Sequence, residues 1–106
     1  MSRAAHVTQA ESVILGALWR HGSLPPARLY AEVRAIQPWA ETTIKTLLAR
    51  LIHKRIVRAE RGGGLVRYAP MIDRDDYVEA EVADLVARLF NGDRRALVAY
   101  LEPGLK

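Results

Sequence analysis

A chain of 106 residues with no cysteine is one small domain, or a small domain with an appended oligomerisation element, and it excludes a disulfide framework, a thiolate metal site and thiol catalysis. Half of its residues are hydrophobic, enough for a thin core that gains from a partner chain, and no apolar run reaches the length of a membrane span or a signal peptide, so no membrane insertion and a cytoplasmic location are expected. The net charge of +4 conceals a division: residues 1–70 carry eleven Lys and Arg against four acids, residues 71–106 five against eight, and residues 45–67 hold seven basic side chains and one acid. A basic front half joined to an acidic rear half points to one end that addresses a polyanion and another with a different task.

Thr8-Gln9-Ala10-Glu11 has the form of a capping box, with the Thr8 hydroxyl and the Glu11 carboxylate each bonding the other's backbone amide. Ala10, Val13, Ile14, Ala17 and Leu18 follow at helical spacing, widened by Leu15 and Trp19, and Gly22 is the expected stop. Ser23-Leu24-Pro25-Pro26 reads as a cap with prolines in the first turn of a short second helix, which carries Leu29, Tyr30, Val33 and Ile36 and stops at Pro38. Residues 41–54 give the clearest helix, with Ile44, Leu47, Leu48, Leu51 and Ile52 as one core-facing stripe. Residues 56–61 and 65–69 are β-prone runs around Gly62-Gly63-Gly64, the pattern of a hairpin with a glycine tip. From Asp73 onward, Asp75 and Asp76 supply an acidic helix start, and Val78, Val82, Leu85, Val86 and Leu89 form an apolar stripe about three turns long. Asn91-Gly92-Asp93 is a stop followed by a new cap, and Leu97, Val98 and Leu101 continue on a last short helix before Pro103-Gly104.

Three helices followed by a hairpin is the order of a winged helix-turn-helix. The expected fold is mainly α with a small β hairpin: a winged helix-turn-helix domain over residues 1–72, followed by a helical dimerisation segment over residues 73–106. The rear helices have an apolar face and little remaining chain to cover it. Pairing Val78, Val82, Leu85, Val86, Leu89, Leu97, Val98 and Leu101 with their copies on a second chain predicts a homodimer; folding back onto the front domain is the alternative.

On the third helix Thr42, Thr46, Ala49 and His53 point away from the core, with Arg50 beside them and Thr43 and Lys45 flanking. Small hydroxyl side chains let a helix sit deep in a major groove, with methyls for thymine and hydroxyls for base edges or phosphate, whereas an ordinary solvated face favours Glu and Lys. Lys45, Arg50 and Lys54 are long enough to reach base edges or the sugar-phosphate walls. Trp19 and Trp39 read first as core or interface anchors, although the Trp39 indole N–H, just before the third helix, could also meet a phosphate. The glycine run is not a nucleotide loop. Gly64 leads into a strand, no Lys-Ser/Thr follows, and no Gly-x-Gly-x-x-Gly occurs. A wing fits better, its strands carrying Arg58, Arg61 and Arg67, although a plain surface turn has the same local signature. His6, His21 and His53 stand apart, as surface or capping residues. Asp73-Arg74-Asp75-Asp76 lacks the glycine and glutamate of a calcium loop, and no nucleophile–base–acid set is present, so neither a cofactor nor an enzyme is expected.

Thr8-x-Ala10-Glu11 with Leu18-Trp19, then Trp39-Ala40-x-Thr42-Thr43-Ile44-x-Thr46-Leu47-Leu48-x-Arg50-Leu51, then Tyr68-x-Pro70 and Phe90-Asn91-Gly92 resemble the penicillinase repressor family, the BlaI/MecI group, in order through nearly the whole chain. The resemblance implies a dimeric winged-helix repressor on a pseudo-palindromic operator of resistance or cell-envelope stress genes, with the rear helices as dimer interface. It also implies a membrane sensor with a metalloprotease domain that triggers cleavage in the rear segment. On this chain it places Thr42, Thr43, Thr46 and Arg50 at the bases and Trp39, Lys45, Lys54, Arg61 and Arg67 at the backbone.

Three features depart from the family pattern. Arg55 stands where members usually place glycine after the recognition helix. Gly63-Gly64 replaces the common Gly-Arg of the wing, which leaves wing contacts to Arg61 or Arg67. The chain ends at Lys106, short of a further C-terminal helix, with no Asn-Phe cleavage pair near Ala99-Tyr100 and none of the cysteines of the copper-responsive branch. The alternative function is a winged-helix interaction module whose basic face docks an acidic protein partner.

Overall fold

The computed structural model describes residues 7–104; His6 lies outside them. The chain runs α1 (Gln9–His21), α2 (Pro26–Arg34), α3 (Glu41–His53), β1 (Val57–Gly62), β2 (Leu65–Pro70), α4 (Arg74–Phe90) and α5 (Arg94–Leu101). Five helices and one antiparallel hairpin make the mainly-α winged helix-turn-helix expected from the sequence.

The head is built around α1. Its capping box forms in full: the Glu11 amide donates to Thr8 Oγ1 at 3.1 Å and the Thr8 amide donates to Glu11 Oε1 at 2.9 Å. Ile14, Leu15 and Leu18 of α1, Leu29 and Val33 of α2, and Ile44, Leu48 and Leu51 of α3 close over one another, with Ile56 and Val57 entering beneath them. Each large side chain fully buried here contributes about 1.5–3 kcal/mol, and together they fix how α3 lies across α1 and α2.

Three local readings change. Ile52, placed on the core stripe, is 36% exposed; at 100° per residue it sits about 80° round from Ile44, at the stripe's edge. Ser23 is not the cap of α2: Pro25 holds that position with no side-chain bond and Pro26 opens the helix. The residues before it do sheet work instead, because Leu24 and Tyr68 exchange backbone hydrogen bonds of 3.0 and 2.8 Å and add a one-residue third strand beside β2. Ile36 lies past the end of α2, half exposed in the turn that leads to α3.

The hairpin pairs Val57 with Pro70 through to Gly62 with Leu65, leaving Gly63 and Gly64 as a two-residue turn. Their φ angles are +58° and +77°, the two positive values that such a turn demands and that glycine alone adopts without strain.

The first rear helix is longer than the stripe of about three turns implied. The helix α4 has 17 residues, nearly five turns, and the molecule measures 56 × 28 × 20 Å. Asp93 caps α5 by accepting from the Arg95 and Ala96 amides, and Arg94 binds both carboxylate oxygens of Glu79 at 2.8 and 3.2 Å, which holds α5 to α4. The rear helices do not fold their apolar face onto the head: Leu89 and Leu101 are each 63% exposed, and Val78 and Val98 also stay open. Val86, counted among the residues available to a second copy, is buried within its own chain and is removed from that face. Val82, Leu85 and Leu97 are half-buried.

Candidate nucleic-acid interface

The face of α3 turned from the core is open along its length. Thr42, Thr43, Lys45, Thr46, Ala49, Arg50 and His53 are all exposed, while Ile44, Leu47, Leu48 and Leu51 hold the opposite side. Thr46 Oγ1 donates to the Thr42 carbonyl at 3.0 Å. This bond, of a kind threonine often makes inside helices, occupies the hydroxyl proton and fixes the rotamer. Lys45 is steadied at the start of the helix by Glu41 at 3.6 Å and lies 5.9 Å from the centroid of the Tyr30 ring on α2. Burial pushes the Tyr30 phenol above its ordinary value, aided by Tyr68 and Glu41 and opposed by Lys45. The Arg50 side chain makes no hydrogen bond or ion pair among the described residues.

The entry to α3 is fixed by Arg34, whose Nε donates to the Trp39 carbonyl at 3.3 Å. Trp39 packs half-buried against the core. Its indole N–H has no partner among the described residues, and no unpaired side-chain nitrogen there is buried, so this donor reaches the surface.

The exit from α3 is a Schellman turn. The Ile56 amide donates to the Leu51 carbonyl at 2.9 Å and the Arg55 amide to the Ile52 carbonyl at 3.0 Å, with Leu51 and Ile56 both fully buried as the accompanying apolar contact. Arg55 itself takes φ +62°. The geometry of a glycine turn is therefore retained by an arginine, at the cost of the left-handed strain that a Cβ brings.

Lys54, expected at the DNA backbone, has a structural partner in the head. Its Nζ lies 2.7 and 2.9 Å from the two oxygens of Glu11, a residue with no solvent exposure. Glu11 thus caps α1 with one bond and anchors the C-terminal end of α3 with two more. Burial alone drives its carboxyl upward, but the Lys54 ammonium and the Thr8 bonds outweigh it and hold the group below its ordinary value. No local spacing reveals this pair, whose members are 43 residues apart.

On the wing, Arg61 is exposed near the tip and makes no side-chain hydrogen bond or ion pair among the described residues. Arg58 is taken up by Glu60 at 2.7 Å. Arg67 is also exposed but donates to the Ser23 carbonyl at 2.8 Å and to Ser23 Oγ at 3.0 Å, so it ties β2 to the turn before α2. The expected cations thus divide. Arg50 and Arg61 stand open, Lys45 is lightly held, and Arg67 and Lys54 brace the head. Tyr30, Ser23 and Glu11, which do the holding, escaped the sequence reading as parts of the site. Among the described residues no group of three or more His, Asp or Glu is placed to hold a metal ion.

A threonine-faced helix projecting from a three-helix head, with a basic hairpin beside it, defines a DNA-binding module of the winged-helix class. The penicillinase repressor family matches residues 7–102, and the chain belongs to that family. The penicillinase repressor of Bacillus licheniformis is 29% identical over 98 residues, covering 92% of this chain and 77% of that protein. The transcriptional regulator BlaI of Mycobacterium tuberculosis is 29% identical over 105 residues, covering 96% and 76%. Among solved structures, the DNA-binding domain of the repressor BlaI superposes with a TM-score of 0.62 at 30% identity, covering 73% of this chain and 94% of that one. The monomeric form of Bacillus licheniformis BlaI in complex with the blaP half-operator gives the same TM-score and identity, covering 68% and 88%.

Proposed function

We propose that the chain is a transcriptional repressor that reads an operator through α3 and does so as a homodimer joined by α4 and α5. The observation that carries the DNA reading is the exposed Thr42–Thr46–Arg50 face on a helix whose other side is locked into the core. The related BlaI bound to a half-operator supports it. Thr42, Thr43, Thr46 and Arg50 meet the bases, while Trp39, Lys45 and Arg61 meet the phosphates of the same groove and its neighbour. Lys54 and Arg67 contribute chiefly by holding α3 and the wing in place.

The rear segment supports pairing. Leu85, Leu89, Phe90, Leu97, Tyr100 and Leu101 line a single apolar cleft between α4 and α5. An elongated arm with this face uncovered is stabilised by a second copy, and a two-fold pair places two recognition helices about one helical turn apart on one side of the duplex. The finer parts of the reading are control of resistance or cell-envelope stress genes and release by a membrane sensor metalloprotease. No helix among the described residues is long and apolar enough to cross a membrane.

A mobility-shift assay on the DNA upstream of the chain's own gene tests the function. A discrete complex that survives excess random duplex supports it. A chain that shifts specific and random DNA alike, or instead binds an acidic protein through the same face, overturns it.

A further inference from the structure

The passage from head to arm is short and tied to the head at two points. Only residues 71–73 separate the end of β2 at Pro70 from the start of α4 at Arg74. The Met71 amide donates to the Ile56 carbonyl at 2.7 Å. The next carbonyl, that of Ile72, accepts the indole N–H of Trp19 from α1 at 3.0 Å. The Trp19 ring then lies 5.5 Å from the ring of Tyr77 in the first turn of α4, tilted by 41°. Trp19, Ile72 and Tyr77 all pack half-buried against the head core. A three-residue linker with free backbone groups lets two bodies swivel; this one has its first amide and second carbonyl bonded to the head, and an aromatic contact closes it from the far side.

We propose that Trp19 and Tyr77 are positioning residues that fix the angle between α3 and the arm, and thereby set the spacing between operator half-sites that the paired chain accepts. The inference rests on the homodimer reading. In a two-fold pair any rotation of a head about its linker appears twice in the separation of the two recognition helices. Moving a half-site by two base pairs displaces it by roughly 7 Å along the duplex and about a fifth of a turn around it. A jointed arm follows such a change, and a fixed one does not.

The test uses a palindromic duplex selected by the full chain from a randomised pool, the same duplex with two base pairs added or removed at its centre, and its isolated half. Trp19→Phe removes the bond to Ile72 and keeps a ring; Tyr77→Leu removes the aromatic contact. The wild-type chain is expected to lose about 10²-fold in affinity on the altered duplexes, because only one head then engages. Both variants should lose less than about tenfold there while matching wild type on the isolated half to within about twofold, the scale at which a merely weakened head would show itself. Sedimentation of each protein completes the comparison. Variants that remain dimeric and keep the wild-type spacing profile overturn the joint alone. A wild-type chain that sediments as a monomer and binds the palindrome no better than its half overturns the pairing and the joint together.

Discussion

Thr46 shows how a single bond narrows what a residue can read. With its proton given to the Thr42 carbonyl, the side chain has a methyl and a lone pair to offer a groove in the proposed reading. A thymine methyl is the matching partner. Thr46→Val should keep the sequence preference, whereas Thr46→Ser should lose about 1 kcal/mol of it, roughly fivefold, in binding to a selected duplex against one with that thymine replaced by deoxyuridine. Equal discrimination by both variants would show that the Thr46 methyl does not read that position, and a loss confined to Thr46→Val would assign the reading to the hydroxyl. Arg55 is the complementary case. A glycine there relieves the left-handed strain but loosens the unfolded chain, so Arg55→Gly should be more stable than Arg55→Ala, which lacks the same side chain but keeps the Cβ, by a net of about 0.5–1 kcal/mol in urea unfolding.

Among the elements, α3 is held at both ends by groups the DNA face does not display. Arg34 fixes its entry and the Glu11–Lys54 pair its exit. Lys54→Met leaves a buried carboxylate with only Thr8 to satisfy it and should cost about 3 kcal/mol of stability. The sign of the pH effect follows from the Glu11 carboxyl, which lies below its ordinary 4.5 in the folded chain. Its stabilisation is complete above that value and disappears as pH falls through the folded one, because the unfolded chain then binds the extra proton. Urea midpoints should therefore fall on acidification below about pH 4.5, and Glu11→Gln should flatten that fall. An unchanged acid limb in the variant would remove the pair from the account.

Elements set by local chemistry were legible in the sequence. The Thr8–Glu11 box, the stripe from Ile44 to Leu51 and a hairpin with a glycine tip each follow from residue type and short spacing, although Gly62 of that tip pairs with Leu65 as the last residue of β1. Ile52 has core spacing yet lies at the surface, because a repeat near 3.6 residues leaves the rim of a stripe undefined. The commitments of Lys54 and Arg67 depend on partners 43 and 44 residues away. Ser23 looked like a helix cap because caps and strand ends favour the same small polar residues. Val86 shares the spacing of its exposed neighbours and differs from them in burial alone.

For the molecule as a whole, the charge division of the sequence becomes a division of labour along a 56 Å body. A basic head carries the proposed DNA face, and an acidic arm carries the apolar cleft. Leu89→Asp places a charge on the exposed part of that cleft without touching the head. It should yield a monomer by sedimentation that still binds a half-site, while losing about 10²-fold on a full operator.

The central claim is that the α3 face and the wing bind duplex DNA largely through phosphate neutralisation, with bases read by the threonines. Affinity for a selected operator, followed from 50 to 200 mM salt beside a scrambled duplex of the same length, tests it most directly. If a pair of heads neutralises roughly 6–10 phosphates, affinity should fall by about 10³–10⁵-fold over that range, with the selected duplex bound more tightly throughout. A flat salt response with no preference between the two duplexes would contradict it.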